Sequence, residues 1–182
     1  MNSPDTKTPT VALRKLFPGL ADAAPATLAR IVERGIHRKV PAGAIMFDAH
    51  TPCAGFPLIL SGTIKVLQRY PNGREMPLYK VKPGESCLLS GSCLLGHTDY
   101  TATGIAETPV EVLVVPPTDF QALIASDPAF RNHVFGLFGK RLATLLSLVG
   151  TGGACPARHR IDGLVPGLFA LPYQHLQGAV MP

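Results

Sequence analysis

Between residues 37 and 82 the chain is built of short apolar or alternating runs separated by turn residues. The runs are Ile45–Phe47, Phe56–Leu60, Thr63–Arg69 and Met76–Val81; the breaks are Pro41-Ala42-Gly43, Ser61-Gly62, Pro71-Asn72-Gly73 and Pro83-Gly84. A period of two predicts β-strands with one buried face. Asn72-Gly73 suits the two positive-φ positions of a type I′ turn, so the runs on either side of it are expected to form a hairpin. Two further strands are expected at Ala102–Ala106 and Val110–Val115. Strands at this spacing, with no helices between them, mean an antiparallel barrel, sandwich or roll.

Helical patterns flank the strands. Val11–Leu16 is stopped by Pro18-Gly19, and Pro25 opens a helix with Leu28, Ile31 and Val32 on one face, closed by Gly35. Thr118-x-x-Gln121 has the form of a capping box before Phe120–Ile124. Asp127-Pro128 then sets a cap and a first-turn proline before an apolar segment ending near Val149. About 22 residues of helix reach ~33 Å, longer than a small domain is wide. The apolar stripe is also wider than one packed face requires. Phe130, Val134, Leu137, Leu145 and Val149 are expected to line a parallel dimer seam, while Phe135, Phe138, Leu142 and Leu146 face the roll or its flap; a core helix of the monomer is the plain alternative. From Gly150 the last 33 residues hold six glycines, four prolines and three charges, and an irregular tail is expected.

Composition narrows the picture. Glycine and proline, 18 each in 182 residues, favour many short elements over a helical bundle. The chain is long enough to bury a core without disulfide or metal staples. No apolar run reaches membrane-spanning length, and polar Met1–Thr10 carries no export pattern, so a cytoplasmic protein is expected with no membrane partner. Cys53, Cys87, Cys93 and Cys155 form no CxxC pair and read as reduced thiols. The net charge of +5 permits nucleic-acid binding without arguing for it. Its distribution says more: residues 38–82 hold seven basic side chains against two acids, whereas residues 83–130 hold six acids and no Lys or Arg. No Ser/His/Asp arrangement, Walker loop or GxGxxG is present, and no enzyme is expected.

The order of elements, with Val40-Pro41-Ala42-Gly43, Phe56-Pro57-Leu58-Ile59-Leu60-Ser61-Gly62-Thr63-Ile64-Lys65-Val66, Asn72-Gly73-Arg74-Glu75, Val81-Lys82-Pro83-Gly84-Glu85 and Ala106-Glu107-Thr108, resembles the effector domain of the Crp/Fnr family of transcription regulators. That resemblance implies a cyclic-nucleotide-binding-like fold. It would be mainly β with flanking helices, an antiparallel β-roll (double-stranded β-helix, or jelly roll) followed by a long dimerisation helix. The implied organisation is an N-terminal arm (1–23), the roll (24–126), the dimerisation helix (127–149) and the tail (150–182), which is too short for a complete helix-turn-helix. It further implies a homodimer that senses an effector, and DNA as a partner only if a longer form or another chain supplies the reading head. The alternative is an interaction or decoy module that pairs with full-length regulators.

Family members that bind cAMP hold its phosphate with an Arg and its ribose with a Glu, after the PGE turn. Here those positions fall near Tyr100 and at Leu88 or Leu89, so cAMP is not expected to bind; a buried phosphodiester needs a cationic donor. The candidate effector pocket is Gly84, Glu85, Cys87, Leu89, Ser90, Ser92, Cys93 and Tyr100. Cys87 and Cys93 have three readings: small buried hydrophobes, thiols that sense oxidant or NO, or Cys87 as a haem-iron ligand, as in a CO-sensing relative. Against haem, the histidine that follows two residues later in that relative is Leu89 here. An iron–sulfur cluster is not expected, because no cysteine precedes Cys53.

Overall fold

The computed structural model describes residues 7–150. Residues up to Leu145 form one compact unit, and of the second unit, from Leu146 on, only the helix end Leu146–Gly150 falls within the described residues. The side chains of Leu145 and Val149, Cys155 and the expected irregular tail lie outside them.

Helix α1 (Lys7–Leu16), a 3-10 turn (Pro18–Leu20) and helix α2 (Pro25–Arg34) precede strands β1 (Ile36–Val40), β2 (Ile45–Phe47), β3 (Phe56–Ser61), β4 (Ile64–Arg69) and β5 (Glu75–Val81). Helix α3 (Leu88–Gly96), strands β6 (Thr103–Ala106) and β7 (Val110–Val115), and helices α4 (Pro117–Ser126) and α5 (Pro128–Gly150) follow. A three-stranded sheet runs β1-β7-β3 and a four-stranded sheet β2-β6-β4-β5, with every pairing antiparallel. The expected roll with flanking helices is what forms.

Strands β3 and β7 belong to two cores at once. Phe56, Leu58, Leu113 and Val115 pack with residues of α1, α2, α4 and α5. The alternate positions Ile59, Val110 and Val112 pack with Ile64, Val66, Val81 and Ala106 from the other sheet. Burial on both faces explains why these two strands read as nearly continuous apolar runs. Phe56, Phe120 and Phe130 form the aromatic centre of the helical side, with ring centroids 5.1–6.0 Å apart.

Two local expectations, the type I′ turn and the capping box, are corrected, one strand is added, and Gly35 closes α2 as expected. Ile36–Val40 is a strand although its sequence is polar, because it is an edge strand whose His37 and Lys39 pair with Glu111 of β7. The β4–β5 turn is not type I′: Pro71 fixes a negative φ at the first central place, and only Gly73 is left-handed (φ 78°). Tyr70 N–H donates to the Arg74 carbonyl at 2.9 Å, the closure of a three-residue loop. Gly35 ends α2 in an extended conformation, and its lack of a side chain serves close packing, since a Cβ there would lie 2.7 Å from Leu113. Gln121 closes no capping box; its Nε2 donates to the Leu94 carbonyl at 2.6 Å and ties α4 to α3.

Asp127 caps α5 as expected, accepting from the N–H groups of Ala129 (2.8 Å) and Phe130 (3.0 Å). Its second oxygen accepts from Ala24 N–H (3.0 Å) and the Thr27 hydroxyl, joining α2 to α5. Burial raises its pKa, but the bonds from Thr27, Phe130, Ala24 and Ala129 outweigh it and hold the carboxyl below its ordinary value.

The faces of α5 are distributed otherwise than the sequence suggested. Phe130 and Val134, assigned to a dimer seam, are fully buried in the chain's own core. Phe135, Leu142 and Leu146, assigned to the roll or its flap, are 51%, 58% and 61% exposed. Leu137 and Phe138 both pack against that core while partly buried. The first turns of α5 start from Asp127, and that anchor rotates Phe130 and Val134 inward.

Candidate functional site

The segment after the Pro83-Gly84 turn holds most of the residues singled out from the sequence, and the structure assigns several of them to the turn itself. Gly84 is left-handed (φ 80°), donates to the Ile59 carbonyl at 2.9 Å and would place a Cβ 2.4 Å from the Leu16 carbonyl, so only glycine fits. Glu85 is exposed, and its carboxylate accepts from the Lys82 N–H at 2.8 Å. Both build the turn that launches α3.

Cys87 is the N-cap of α3 and is completely buried. Its Sγ lies 3.7 Å from the Tyr79 hydroxyl, to which Leu89 N–H also donates at 3.3 Å. One helical turn on, the Ser90 and Tyr100 hydroxyls stand 3.0 Å apart, and the Cys53 thiol donates to Tyr100 at 3.1 Å. Phe47 stacks on Tyr100, with centroids 4.4 Å apart. Cys93 Sγ donates to the Asp99 carbonyl at 3.3 Å. Ser92 is exposed and takes no part. The structure therefore brings Ser90 and Tyr100 together and sets Cys87 and Leu89 on Tyr79, with Cys93 beside the Cys53 thiol, while Gly84, Glu85 and Ser92 do not converge with them. Tyr79, Cys53 and Phe47 are members that sequence reasoning missed; they lie far along the chain and carry no motif.

This network is neutral and closed. Burial, and next the hydrogen bond from Cys53, push the Tyr100 hydroxyl far above its ordinary pKa; burial and then Cys87 do the same to Tyr79. Burial, followed by the neighbouring thiols, pushes Cys93 up to about 11. A thiol in that state is a poor nucleophile and a poor soft ligand at neutral pH. Cys87 is enclosed among aliphatic side chains of both sheets, with the Tyr79 hydroxyl over it, and offers no open face to a planar macrocycle. These residues do not fit a haem. Among the described residues no three His, Cys, Asp or Glu side chains are grouped to hold a metal ion.

A cleft lined by several cations lies elsewhere. The cleft, of about 540 Å³, lies between the end of β5, the Gly84–Ser86 turn, Pro18-Gly19 and one face of α5. Lys80, Lys140 and Arg141 line it, as do Ser86, His133 and Leu137. Arg141 is placed by the Leu78 carbonyl (3.3 Å to Nη2) and by the ring of Tyr79, whose centroid lies 5.4 Å from its guanidinium carbon. His133 stands edge-on to Phe17 and Phe56 and turns Nε2 toward Ser86 Oγ at 3.2 Å. Burial, reinforced by Lys140, pushes its pKa down to about 4, so the ring is neutral at pH 7. No sequence signal unites these residues, because about sixty positions separate Lys80 from Arg141.

Known proteins agree with this architecture. The profile of the cyclic nucleotide-binding domain matches residues 37–127. A Crp/Fnr-family transcriptional regulator from Eubacterium rectale is 25% identical, with a TM-score of 0.64 over 74% of this chain and 62% of that one. The catabolite activator protein of Thermus thermophilus is 24% identical, with a TM-score of 0.61 over 73% of this chain and 63% of that one. The sensor domain of the regulator DNR from Pseudomonas aeruginosa, 15% identical, has a TM-score of 0.64 over 84% of this chain and 98% of that domain. The chain thus spans about three-fifths of the length of the first two. No curated protein sequence matches it significantly.

Proposed function

The chain belongs to the cyclic nucleotide-binding domain family, in the form found in Crp/Fnr regulators, and on that premise we propose that it is the effector-sensing and pairing domain of a cytoplasmic transcription regulator whose ligand is not cAMP. One observation carries the reading. The segment that would receive a cyclic phosphate contains no cation, and its hydroxyls are closed on one another by Ser90, Tyr100 and Cys53. A buried phosphodiester without a cationic donor bears a desolvation cost that neutral hydroxyls do not offset. A catalytic role has no support in this segment, where the described acids and thiols are dispersed or engaged in hydrogen bonds.

Pairing runs through the exposed side of α5, where Phe135 and Leu142, seven residues apart, are two turns removed on one face. Large apolar side chains spaced in this way are hidden by a second helix. Sedimentation equilibrium tests the reading. The wild-type chain should be dimeric at tens of micromolar and Leu142→Glu should be monomeric. A monomeric wild type, or an equally tight mutant dimer, would remove pairing through this face.

A further inference from the structure

We propose that Cys53 and Cys93 are a reactive thiol pair, which a peroxide closes to a disulfide and which α3 couples to α5. The two residues are distant in the chain, yet the fold gives them one cavity of about 330 Å³, shared with Leu94, His97 and Thr118. Both thiols hang from the same turn. Cys93 Sγ donates to the Asp99 carbonyl at 3.3 Å, and Cys53 Sγ donates to the hydroxyl of the next residue, Tyr100, at 3.1 Å. Backbone bonds fix that turn to the loop of Cys53: His50 N–H donates to the Tyr100 carbonyl at 2.7 Å, and Tyr100 N–H to the Thr51 carbonyl at 3.0 Å. Cys53 Sγ also reaches the Ser90 carbonyl at 3.8 Å, one helical turn before Cys93 on the same face of α3. Cys87 does not compete, since it is enclosed by the other core and covered by Tyr79.

Accessibility divides the roles. Cys53 is half-buried in the wall of the cavity, whereas Cys93 is 3% exposed and burial pushes its thiol up to about 11. Cys53 is therefore the attacking group and Cys93 the resolving one. The Cys53 sulfur gives its proton to solvent and attacks one oxygen of hydrogen peroxide. The O–O bond breaks, the departing oxygen takes up a proton and leaves as water, and a sulfenic acid remains. The Cys93 sulfur then attacks the Cys53 sulfur; the S–O bond breaks and a second water leaves with the Cys93 proton. Two thiols have given up two electrons, one peroxide has become two waters, and one S–S bond has formed. Holding the resolving thiol in the same cavity makes the second step intramolecular, which offsets its high pKa. The new bond is felt at α5 because α3 packs on it: a Cβ on Gly91 would stand 3.6 Å from the rings of Phe138 and Phe56. Drawing Cys93 toward the loop moves the helix that carries Gly91 against Phe138. This coupling rests on the reading of α5 as the pairing element.

The test uses the whole chain, reduced and then exposed to equimolar hydrogen peroxide, with free thiols blocked by a maleimide before non-reducing peptide mapping. A cross-link between Cys53 and Cys93 should appear, Cys87 should stay free, and dithiothreitol should reverse the change. In Cys93→Ser the sulfenic acid on Cys53 should persist and be trapped by dimedone. In Cys53→Ala, Cys93 should lose its thiol more slowly by at least about tenfold. No cross-link in the wild type, a link through another cysteine, or equally fast loss of Cys93 in Cys53→Ala would overturn the thiol pair. The wild-type map decides even where a variant fails to fold. Sedimentation equilibrium of the reduced and oxidised chains reads the coupling: their dissociation constants should differ several-fold, and the difference should vanish in Cys93→Ser. Equal association of the two forms would contradict the coupling to α5. A reduced and an oxidised chain that are both monomeric would contradict pairing itself, while the peptide map still decides the thiol pair.

Discussion

The surroundings of α3 and the cleft beside α5 are built from similar polar side chains put to opposite use. Around α3, Ser90, Tyr100 and Cys53 bond to one another, Cys87 is covered by Tyr79, and residues 83–130 supply no Lys or Arg. Beside α5, Lys140 and Arg141 face about 540 Å³ of open space with no ion-pair partner among the described residues. In the first region polar atoms serve the fold, because a buried hydroxyl left unpaired costs stability. In the second they are solvated, so they contribute little to stability and remain available to a ligand. Sharing a family's fold does not fix which part of it carries the ligand chemistry; the distribution of unpaired charge does.

The largest expected effect lies in the closed region. Tyr100→Ala removes a ring stacked on Phe47 and leaves Ser90 and Cys53 without their partner, so urea unfolding should show a loss of about 3–5 kcal/mol. A loss below about 1 kcal/mol would show that the network is not part of the core and would break the contrast.

Next comes pH, which reads the boundary between the two regions through His133. Its pKa is near 4 in the folded chain against 6.5 when exposed. The unfolded chain therefore takes up a proton first as the solution is acidified. The stabilisation is fully present above pH 6.5 and is lost as pH falls toward about 4, amounting to at most about 3 kcal/mol. Urea midpoints measured across that window should decline for the wild type and decline less for His133→Gln. Parallel declines would place His133 in solvent.

Smaller effects belong to the cleft. Gly136→Ala should raise stability by about 0.5–1 kcal/mol, since the new methyl group meets open space and the helix gains propensity. Lys140→Gln should change stability by less than about 0.5 kcal/mol, as expected for an exposed residue with no ion-pair partner among the described residues. A loss comparable to that of Tyr100→Ala would mean that the cleft is structural too.

Much of this fold was legible in the sequence, and the failures have physical causes. The period-two runs located six of the seven strands, and Asp127-Pro128 marked the start of α5. Strand β1 escaped because an edge strand satisfies its exposed face with charge, so Ile36–Val40 lacks a hydrophobic rhythm. Helix α3 escaped because Leu88–Gly96 is apolar on most sides and its N-cap Cys87 makes no side-chain cap. The stripe on α5 was visible, but its two sides could not be told apart without knowing that Asp127 is tied back to Thr27 and Ala24. The absence of cations near α3 is a fact of composition and could be read directly. The cleft could not, because Lys80 meets Arg141 only after β5 is laid beside α5.

Calorimetric titration of cAMP into the purified chain tests the central claim most directly. The closed, uncharged surroundings of α3 predict no saturable heat up to millimolar nucleotide. A dissociation constant in the micromolar range that survives Lys140→Gln with Arg141→Gln would contradict the account, because the phosphate would then need a partner that residues 83–130 do not contain.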